Sequence, residues 1–287
     1  PALLRGGDVV IIGGGLVGLA SAAALSARGA DVAVVADHHA GEASRAAAGM
    51  LAPGVERANG AAHAFAIAAR DLYPSYVEAL AEVTGTLVPL NRGGILDLAF
   101  DEAEADARRA QLTAAQRWLT SDEVHALEPA IGPAVGAVFH PDDGAVDNVV
   151  LMRVLRELVD ASSTVTVVHD RVTGLDLETD RPLIQLASRR TMIASTVVLA
   201  AGAWTPRIEG IPRPLPIEPV RGQLYSVGSA PVRHVTYGAD GYVVPRRGGH
   251  TVVGATMENV GFEIGVTADG MSALAETARR IAPSLTT

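Results

Sequence analysis

Cysteine is absent from the 287 residues. The chain therefore has no disulfide framework, no thiolate nucleophile and no cysteine-ligated zinc. Basic residues are also few, since 23 Lys and Arg stand against 32 Asp and Glu and give a formal net charge of -9. A nucleic-acid surface needs a basic patch to neutralise phosphates, so a small-molecule ligand is the better expectation.

Charged residues make up only 19% of the chain, whereas 48% of the residues are hydrophobic. This balance indicates a globular protein with a sizeable core. A single core rarely grows beyond roughly 250–300 residues, so the length favours two lobes over one compact domain. Internal repeats and low-complexity linkers are not evident.

Residues 9–27 carry no charge and are long enough to raise the possibility of a membrane helix or a signal segment. Four glycines in this run argue against it, because each costs about 1 kcal/mol relative to alanine inside a helix. No other run approaches spanning length. We therefore expect a cytoplasmic protein without a membrane partner; a homo-oligomer stays open.

The first fifty residues carry the clearest motif. Residues 9–12 are β-branched and read as a strand buried on both faces of a parallel sheet, and residues 13–18 (Gly-Gly-Gly-Leu-Val-Gly) fit G-x-G-x-x-G. An Ala-rich helix over 19–28 and a second strand over 32–35 follow. Strand, glycines, helix and strand in this order predict a dinucleotide site; the alternative is a glycine-rich turn in an ordinary α/β protein.

Each glycine of the motif has a physical task. Gly13 permits the tight turn, Gly15 lets the backbone approach a pyrophosphate, and Gly18 lets the helix lie close to the strand. The motif also expects an acid at the end of the second strand, but Ala36 stands there and Asp37 comes one residue later. Asp37 either reaches a ribose or is a solvated turn residue.

Several separated segments resemble the FAD-dependent D-amino-acid oxidase family, and within it the glycine oxidases of the thiamine pathway. Residues 44–51 (Ser-Arg-Ala-Ala-Ala-Gly-Met-Leu) are similar to the family's stretch after the second strand. Residues 196–204 resemble its late strand and turn, and residues 219–223 resemble the strand that enters the substrate lobe. Residues 241–246 with 253–257 are similar to its active-site hairpin.

The resemblance implies an α/β fold, with a Rossmann-like FAD-binding lobe on a parallel sheet and an α+β substrate lobe on a mixed or antiparallel sheet. The FAD-binding lobe would comprise residues 1–84 and 143–213, and the substrate lobe residues 85–142 and 214–287. Further predicted elements are strands over 93–98 and 136–140, a polar helix-favouring segment over 101–127, a helix over 149–159 and β-type alternation over 224–253.

The resemblance also implies noncovalent FAD, because attachment through cysteine is excluded. Besides Asp37, the cofactor-binding residues it carries over are Gly13, Gly15, Leu16, Val17, Gly18, Ala43, Ser44, Ala48, Gly49, Met50, Val172 and Gly202. Val172 would offer backbone groups to the adenine, but on pattern alone it is a core valine of a strand over 164–172. Trp204 is either a packing residue or a neighbour of the cofactor.

The activity implied is FAD-dependent oxidative deamination of glycine or another small amino acid to the oxo acid, with ammonia and hydrogen peroxide, in thiamine biosynthesis. The amino acid and dioxygen would be its small-molecule partners. Tyr242 is the best candidate to bind the substrate carboxylate, and Met50 and Met257 match pocket-lining positions. No metal is expected, and Arg246 and Arg247 are interpreted as surface charges.

Other functions stay open from sequence. These are a sarcosine or D-amino-acid oxidase, a dehydrogenase, and a flavin-binding protein without catalysis; an NAD(P)-dependent dehydrogenase is disfavoured because residues 44–51 have no role in one. Relatives continue beyond the helix equivalent to residues 271–281 with a segment that supplies an arginine and a glycine-rich flavin loop. If nothing replaces that segment, we expect weak flavin retention and little activity.

Overall fold

The computed structural model describes residues 3–56, 59–238 and 240–285. Within these ranges the helices are α1 (Leu16–Ser26), α2 (Ala43–Ala46), α3 (Pro53–Glu56), α4 (Gly60–Thr84), α5 (Glu102–Arg109), α6 (Ser121–Leu127), α7 (Asn148–Ala161) and α8 (Ala268–Ile281), with a 3₁₀ helix at Gly202–Arg207. The strands are β1 (Leu3–Arg5), β2 (Val9–Ile12), β3 (Val32–Ala36), β4 (Met50–Leu51), β5 (Leu90–Asn91), β6 (Ile95–Ala99), β7 (Arg117–Thr120), β8 (Gly136–His140), β9 (Gly144–Val146), β10 (Val165–His169), β11 (Val172–Asp176), β12 (Leu183–Leu186), β13 (Thr191–Ile193), β14 (Thr196–Leu199), β15 (Leu224–Val227), β16 (Val235–Gly238), β17 (Gly241–Arg246) and β18 (His250–Gly254).

The described chain divides into two compact units. The first unit runs to Ala47 and adds Val149–Val220 and Val260–Phe262. The second unit holds Ala48–Asn148, Arg221–Asn259 and the residues from Glu263 onward. The predicted lobes differ from these units chiefly over residues 48–84. The predicted lobes are defined by the ligand that each would bind, whereas the units are defined by packing. The lobe boundaries therefore stay a prediction.

The first unit is built on a parallel four-stranded sheet in the order β10-β3-β2-β14. The residues of β2 and β3 are almost all buried, as expected for central strands covered on both faces. Helix α1 begins at Leu16, three residues earlier than predicted, because the chain turns directly from Gly15 into the helix. The predicted strand–glycine–helix–strand order is confirmed.

A second four-stranded sheet, in the order β1-β13-β12-β11, completes the first unit. It corrects the prediction of one strand over 164–172, since β10 ends at His169 and Val172 opens β11 in the other sheet. The Asp170 carboxylate accepts hydrogen bonds from the Arg171 amide at 2.8 Å and the Ser188 hydroxyl at 2.5 Å. They accompany a change of backbone partner, since the Asp170 amide donates to the Ala36 carbonyl of β3, whereas the Arg171 carbonyl accepts from the Ala187 amide beside β12.

The second unit is built on a seven-stranded sheet in the order β15-β18-β17-β16-β6-β8-β7. Only the β16–β6 pair is parallel, so the predicted mixed sheet is confirmed. Helix α8 packs on this sheet through buried Leu274, Ala278 and Ile281. The second unit also contains a small antiparallel sheet in the order β4-β9-β5.

Two features of the second unit differ from prediction or were not predicted. Strand β7 interrupts the helix-favouring segment, and Thr120 at its end caps α6 in a reciprocal bond with Glu123. Helix α4 was not predicted, although Gly85 ends it in the left-handed conformation typical of a helix terminus. Among the helices of the described chain, none is long and apolar enough to cross a membrane.

A carboxylate clasp holds the segment after β18. Glu258 accepts hydrogen bonds from the Arg221 guanidinium at 2.5 Å, and from the Gln223 amide and the Thr256 hydroxyl at 2.6 Å each. Backbone bonds between Arg221 and Glu258 run in both directions. The arginine first, then the two neutral donors, lower the pKa of Glu258 to about 2.

The clasp predicts a pH-dependent contribution to stability. A carboxyl that titrates near 4.5 when unfolded but near 2 when folded stabilises the fold above pH 4.5, and this contribution is lost as the pH falls towards 2. We expect Glu258→Gln to lower the urea midpoint at neutral pH and to match the wild type near pH 2. Glu276→Gln, on an exposed face of α8, is the control and should show no such convergence. A wild-type advantage that persists unchanged to pH 2 would contradict the assignment.

Candidate functional site: a glycine turn and a tyrosine hairpin

The turn between β2 and α1 depends on two glycines. Gly13 adopts a φ of +119°, and a Cβ on it would overlap the Ala200 carbonyl oxygen. A Cβ on Gly18 would overlap the carbonyl oxygen of Gly13. Gly13 also donates its amide hydrogen to the Val35 carbonyl at 2.9 Å. The tasks that we predicted for both glycines, a tight turn and a close helix–strand approach, therefore agree with the geometry.

Gly15, at the N-terminus of α1, differs from these two. A Cβ there would meet only the Ser44 side chain, with the hydroxyl oxygen at 3.0 Å, and would otherwise enter open space. The Ser44 hydroxyl also accepts the first helical N–H, that of Leu16, at 3.0 Å. The N-terminus of an eleven-residue helix suits an anion, because the N–H groups of a first helical turn have no partner within the helix and the positive end of the helix dipole lies there.

The other cofactor-binding residues predicted in the first unit lie on several different elements. Val17 is 67% exposed on α1, and Ala43 opens the short helix α2. Asp37 follows β3 and is exposed, so its ribose role stays a prediction. Val172 is buried at the start of β11, and Gly202 opens the 3₁₀ helix after β14.

Trp204 packs in an aromatic group that we did not predict. Its ring stacks on His39 at a centroid distance of 4.8 Å and lies 5.7 Å from the ring of Phe262. The Arg207 guanidinium lies over the Phe262 ring, 3.6 Å from its centroid. The packing role of Trp204 is thus visible, whereas its proximity to a cofactor stays a prediction.

In the second unit, Ala48, Gly49 and Met50 form a tightly held segment. Ala48 is buried, and Met50 pairs with Ala145 in the small sheet. Gly49 has a φ of +65°, and a Cβ on it would overlap the Val146 carbonyl oxygen. The Val146 amide in turn donates to the Gly49 carbonyl at 2.8 Å. Glycine is required here by backbone geometry and by close approach.

Tyr242 lies on β17, directly opposite Tyr237 of β16, with ring centroids 5.4 Å apart. Burial, and then the nearby Glu56 carboxylate, raise the pKa of Tyr242 above its ordinary value. Tyr242 is therefore a hydrogen-bond donor throughout the neutral range. Burial first, and then Glu56, Tyr242 and two aspartates, raise the pKa of Tyr237 as well. Tyr237 was missed, although its place in an alternating β-type run is the signal that could have identified it.

Met257, the third predicted catalytic residue, lies beyond β18 and its side chain is 86% exposed. The described residues thus place Tyr242 and Met50 in partly buried positions of the second unit, but they do not enclose Met257. Its pocket-lining role stays a prediction. Asp240 accepts a hydrogen bond from the Arg280 guanidinium at 3.3 Å.

The prediction that Arg246 is a surface charge is wrong. Its guanidinium donates to the Val146 carbonyl at 2.6 Å, the Ala48 carbonyl at 2.9 Å and the Asn148 side-chain oxygen at 2.8 Å. Burial lowers the pKa of Arg246, and Asp147 opposes this shift. Alternation along β17 turns position 246 inward, whereas Arg247 follows the strand and is exposed.

Comparison with known proteins bears on the function of these residues. The family described as "DAO: FAD dependent oxidoreductase" matches residues 8–287. The chain is 35% identical to the bifunctional protein ThiO/ThiG of Nostoc sp., over 97% of this chain and 44% of that protein. It is 32% identical to the glycine oxidase of Pseudomonas putida, over 97% of this chain and 78% of that protein.

A solved structure gives the same result. The crystal structure of glycine oxidase from Geobacillus kaustophilus superposes with a TM-score of 0.87 at 28% identity, covering 99% of this chain and 79% of that one. The match confirms the α/β fold with a parallel and a mixed sheet. The chain spans less than half the length of the bifunctional relative, and about four fifths of the glycine oxidases.

The contrast between Gly15 and Gly18 predicts two separable effects. Gly15→Ala should lower the thermal midpoint less than Gly18→Ala does, because its methyl group meets only the Ser44 side chain. It should weaken FAD binding by about tenfold or more, because that methyl group lies at the helix N-terminus that a diphosphate would approach. Gly18→Ala should lower the thermal midpoint, because its methyl group overlaps backbone. FAD titration and thermal melts of both variants measure these effects.

Gly228→Ala serves as the matched control, since a Cβ there meets nothing within 4 Å. It should change neither property. Equal FAD affinity of Gly15→Ala and the control would show that the turn does not bind the nucleotide.

Proposed function

Because this chain belongs to the family of FAD dependent oxidoreductases, we propose that it binds FAD noncovalently and oxidatively deaminates glycine or another small amino acid. The observation that carries the proposal is the glycine turn at the N-terminus of α1, where a Cβ on Gly15 would meet only the Ser44 side chain within 4 Å. The similarity to glycine oxidases along nearly the whole chain supports the choice of substrate class.

The residues present fit FAD. Gly13 and Gly18 shape the turn, while Gly15 and Val17, at the N-terminus of α1, would present backbone to the diphosphate without a basic side chain. Ser44 fixes the first amide of the helix in place. Ala48, Gly49 and Met50 are proposed from the resemblance as further contacts, together with Val17, Asp37, Ala43, Val172 and Gly202. The absence of cysteine leaves no cysteinyl attachment point.

FAD, when bound, supplies the capacity to take two electrons from a substrate C–H bond and to pass them to dioxygen. The task left to this chain is to bind and orient the amino acid and to exclude water. Tyr242, a protonated phenol on β17, would donate a hydrogen bond to the substrate carboxylate while its ring and that of Tyr237 wall the site. Met50 and Met257 would add apolar contacts.

The products would be the oxo acid, ammonia and hydrogen peroxide. Because the bifunctional relative is named ThiO/ThiG, we place the reaction in the supply of an oxidised glycine derivative to thiazole formation in thiamine biosynthesis. The pathway rests on that similarity and not on side-chain geometry.

The proposal predicts that glycine reduces the bound flavin. Under anaerobic conditions the flavin absorbance band should bleach on addition of glycine and recover in air with release of hydrogen peroxide. Sarcosine and D-alanine, tested in parallel, identify the preferred amine. Bleaching without recovery in air would instead indicate a dehydrogenase. A flavin that none of the three amines bleaches would refute the proposed activity.

Tyr242→Phe removes one donor without removing the ring. We expect KM for glycine to rise about tenfold to a hundredfold, the equivalent of one hydrogen bond to a charged group, with a smaller change in kcat. Because burial and Glu56 raise the pKa of Tyr242 above 10.0, the wild-type KM should stay flat through neutral and mildly alkaline pH. Tyr225→Phe, on the edge strand β15, is the control and should leave KM unchanged. An unchanged KM in Tyr242→Phe would remove this tyrosine from the site.

A further inference from the structure

Arg246 stands at a junction of three segments of the second unit. It ends β17, the strand that carries Tyr242, and its guanidinium donates to carbonyl oxygens of Ala48 and Val146 and to the side chain of Asn148. A planar guanidinium can hold several acceptors at once in a fixed geometry, which a flexible ammonium cannot do.

The two carbonyl acceptors lie on either side of Gly49. Ala48 precedes this glycine in the chain, and Val146 packs against it so closely that a Cβ has no room. The φ of +65° at Gly49 turns the chain between Ala48 and Met50. Arg246 therefore holds the Ala48 carbonyl, which precedes the turn, and the Val146 carbonyl, against which Gly49 packs.

All three recorded acceptors are neutral oxygens. Hydrogen-bonding a partly buried cation to neutral oxygens is costly, and a neutral donor would join two backbone segments at lower cost. Burial lowers the pKa of Arg246, with Asp147 opposing the shift, yet a guanidinium retains its charge in a protein. The donor that binds the Ala48 carbonyl, at the start of segment 48–50, is thus a positively charged side chain.

We propose that Arg246 is a positioning residue of the cofactor site, which holds the Ala48–Gly49–Met50 turn in the conformation that contacts FAD and ties it to the strand bearing Tyr242. The inference rests on the proposed function, because the contact of residues 48–50 with FAD is part of it. Arg246 itself need not touch FAD or substrate.

The test compares Arg246→Met, Arg246→Lys and Arg247→Met in the full-length protein, with flavin removed and then added back. Three quantities are measured: the Kd for FAD, the visible circular dichroism of the bound flavin, and the thermal midpoint without flavin. We expect Arg246→Met to raise the Kd for FAD about tenfold or more and to alter the dichroism, because both carbonyls lose their donor. Arg246→Lys should recover part of the affinity, and Arg247→Met, an exposed neighbour, should match the wild type.

A structural role alone predicts a different pattern. Arg246→Met would then lower the thermal midpoint while the folded fraction bound FAD with wild-type Kd and dichroism, and that result overturns the inference. If Arg246→Met does not fold, Arg246→Lys decides by the same criterion, since it retains the charge but not the fork. Wild-type protein that binds no FAD would refute the proposed function itself, whereas wild-type binding with unchanged Arg246 variants refutes only the positioning role.

Discussion

The turn from β2 into α1 leaves no room for side chains at two positions, and the first unit depends on that constraint. Gly13 lies against the Ala200 carbonyl and Gly18 against the Gly13 carbonyl, so the helix comes close to the parallel sheet and its N-terminus stands at the carboxyl end of β2. Around Gly15, by contrast, only the Ser44 side chain lies within 4 Å of a built Cβ. An anion can therefore be bound by backbone N–H groups and the helix dipole, in a chain whose net charge is -9 and which has few cations to offer.

In the second unit, a comparable constraint acts at Gly49. The chain turns there with a positive φ against the Val146 carbonyl, and one guanidinium holds the carbonyls on both sides. The strand that supplies the guanidinium also carries Tyr242, four residues earlier. Two-residue periodicity places Tyr242 and Arg246 on the same face of the strand, so a single element presents the proposed substrate donor and stabilises the proposed cofactor segment.

Much of this could be predicted from sequence, and the limits have physical causes. The strand at 9–12 and its glycines were predictable because burial on both faces and a tight turn restrict residue choice to β-branched residues and glycine. Gly136–His140 was predicted to the residue. The break between β10 and β11 was missed because the bond of Asp170 to Ser188 that accompanies it is a contact across eighteen positions. Arg246 was misjudged for the same reason, since its acceptors lie about a hundred and two hundred positions away. Lone side chains with distant partners leave no local pattern.

The central claim is that the amides at the N-terminus of α1 bind the diphosphate of FAD. Backbone amide NMR of isotopically labelled protein tests it directly, with FAD and riboflavin added in separate titrations. Both ligands share the isoalloxazine ring, but only FAD carries a diphosphate. We predict that FAD shifts the amide resonances of Gly15 and Val17 and that riboflavin leaves them in place. Saturating FAD that perturbs other amides while those two stay unchanged would contradict it.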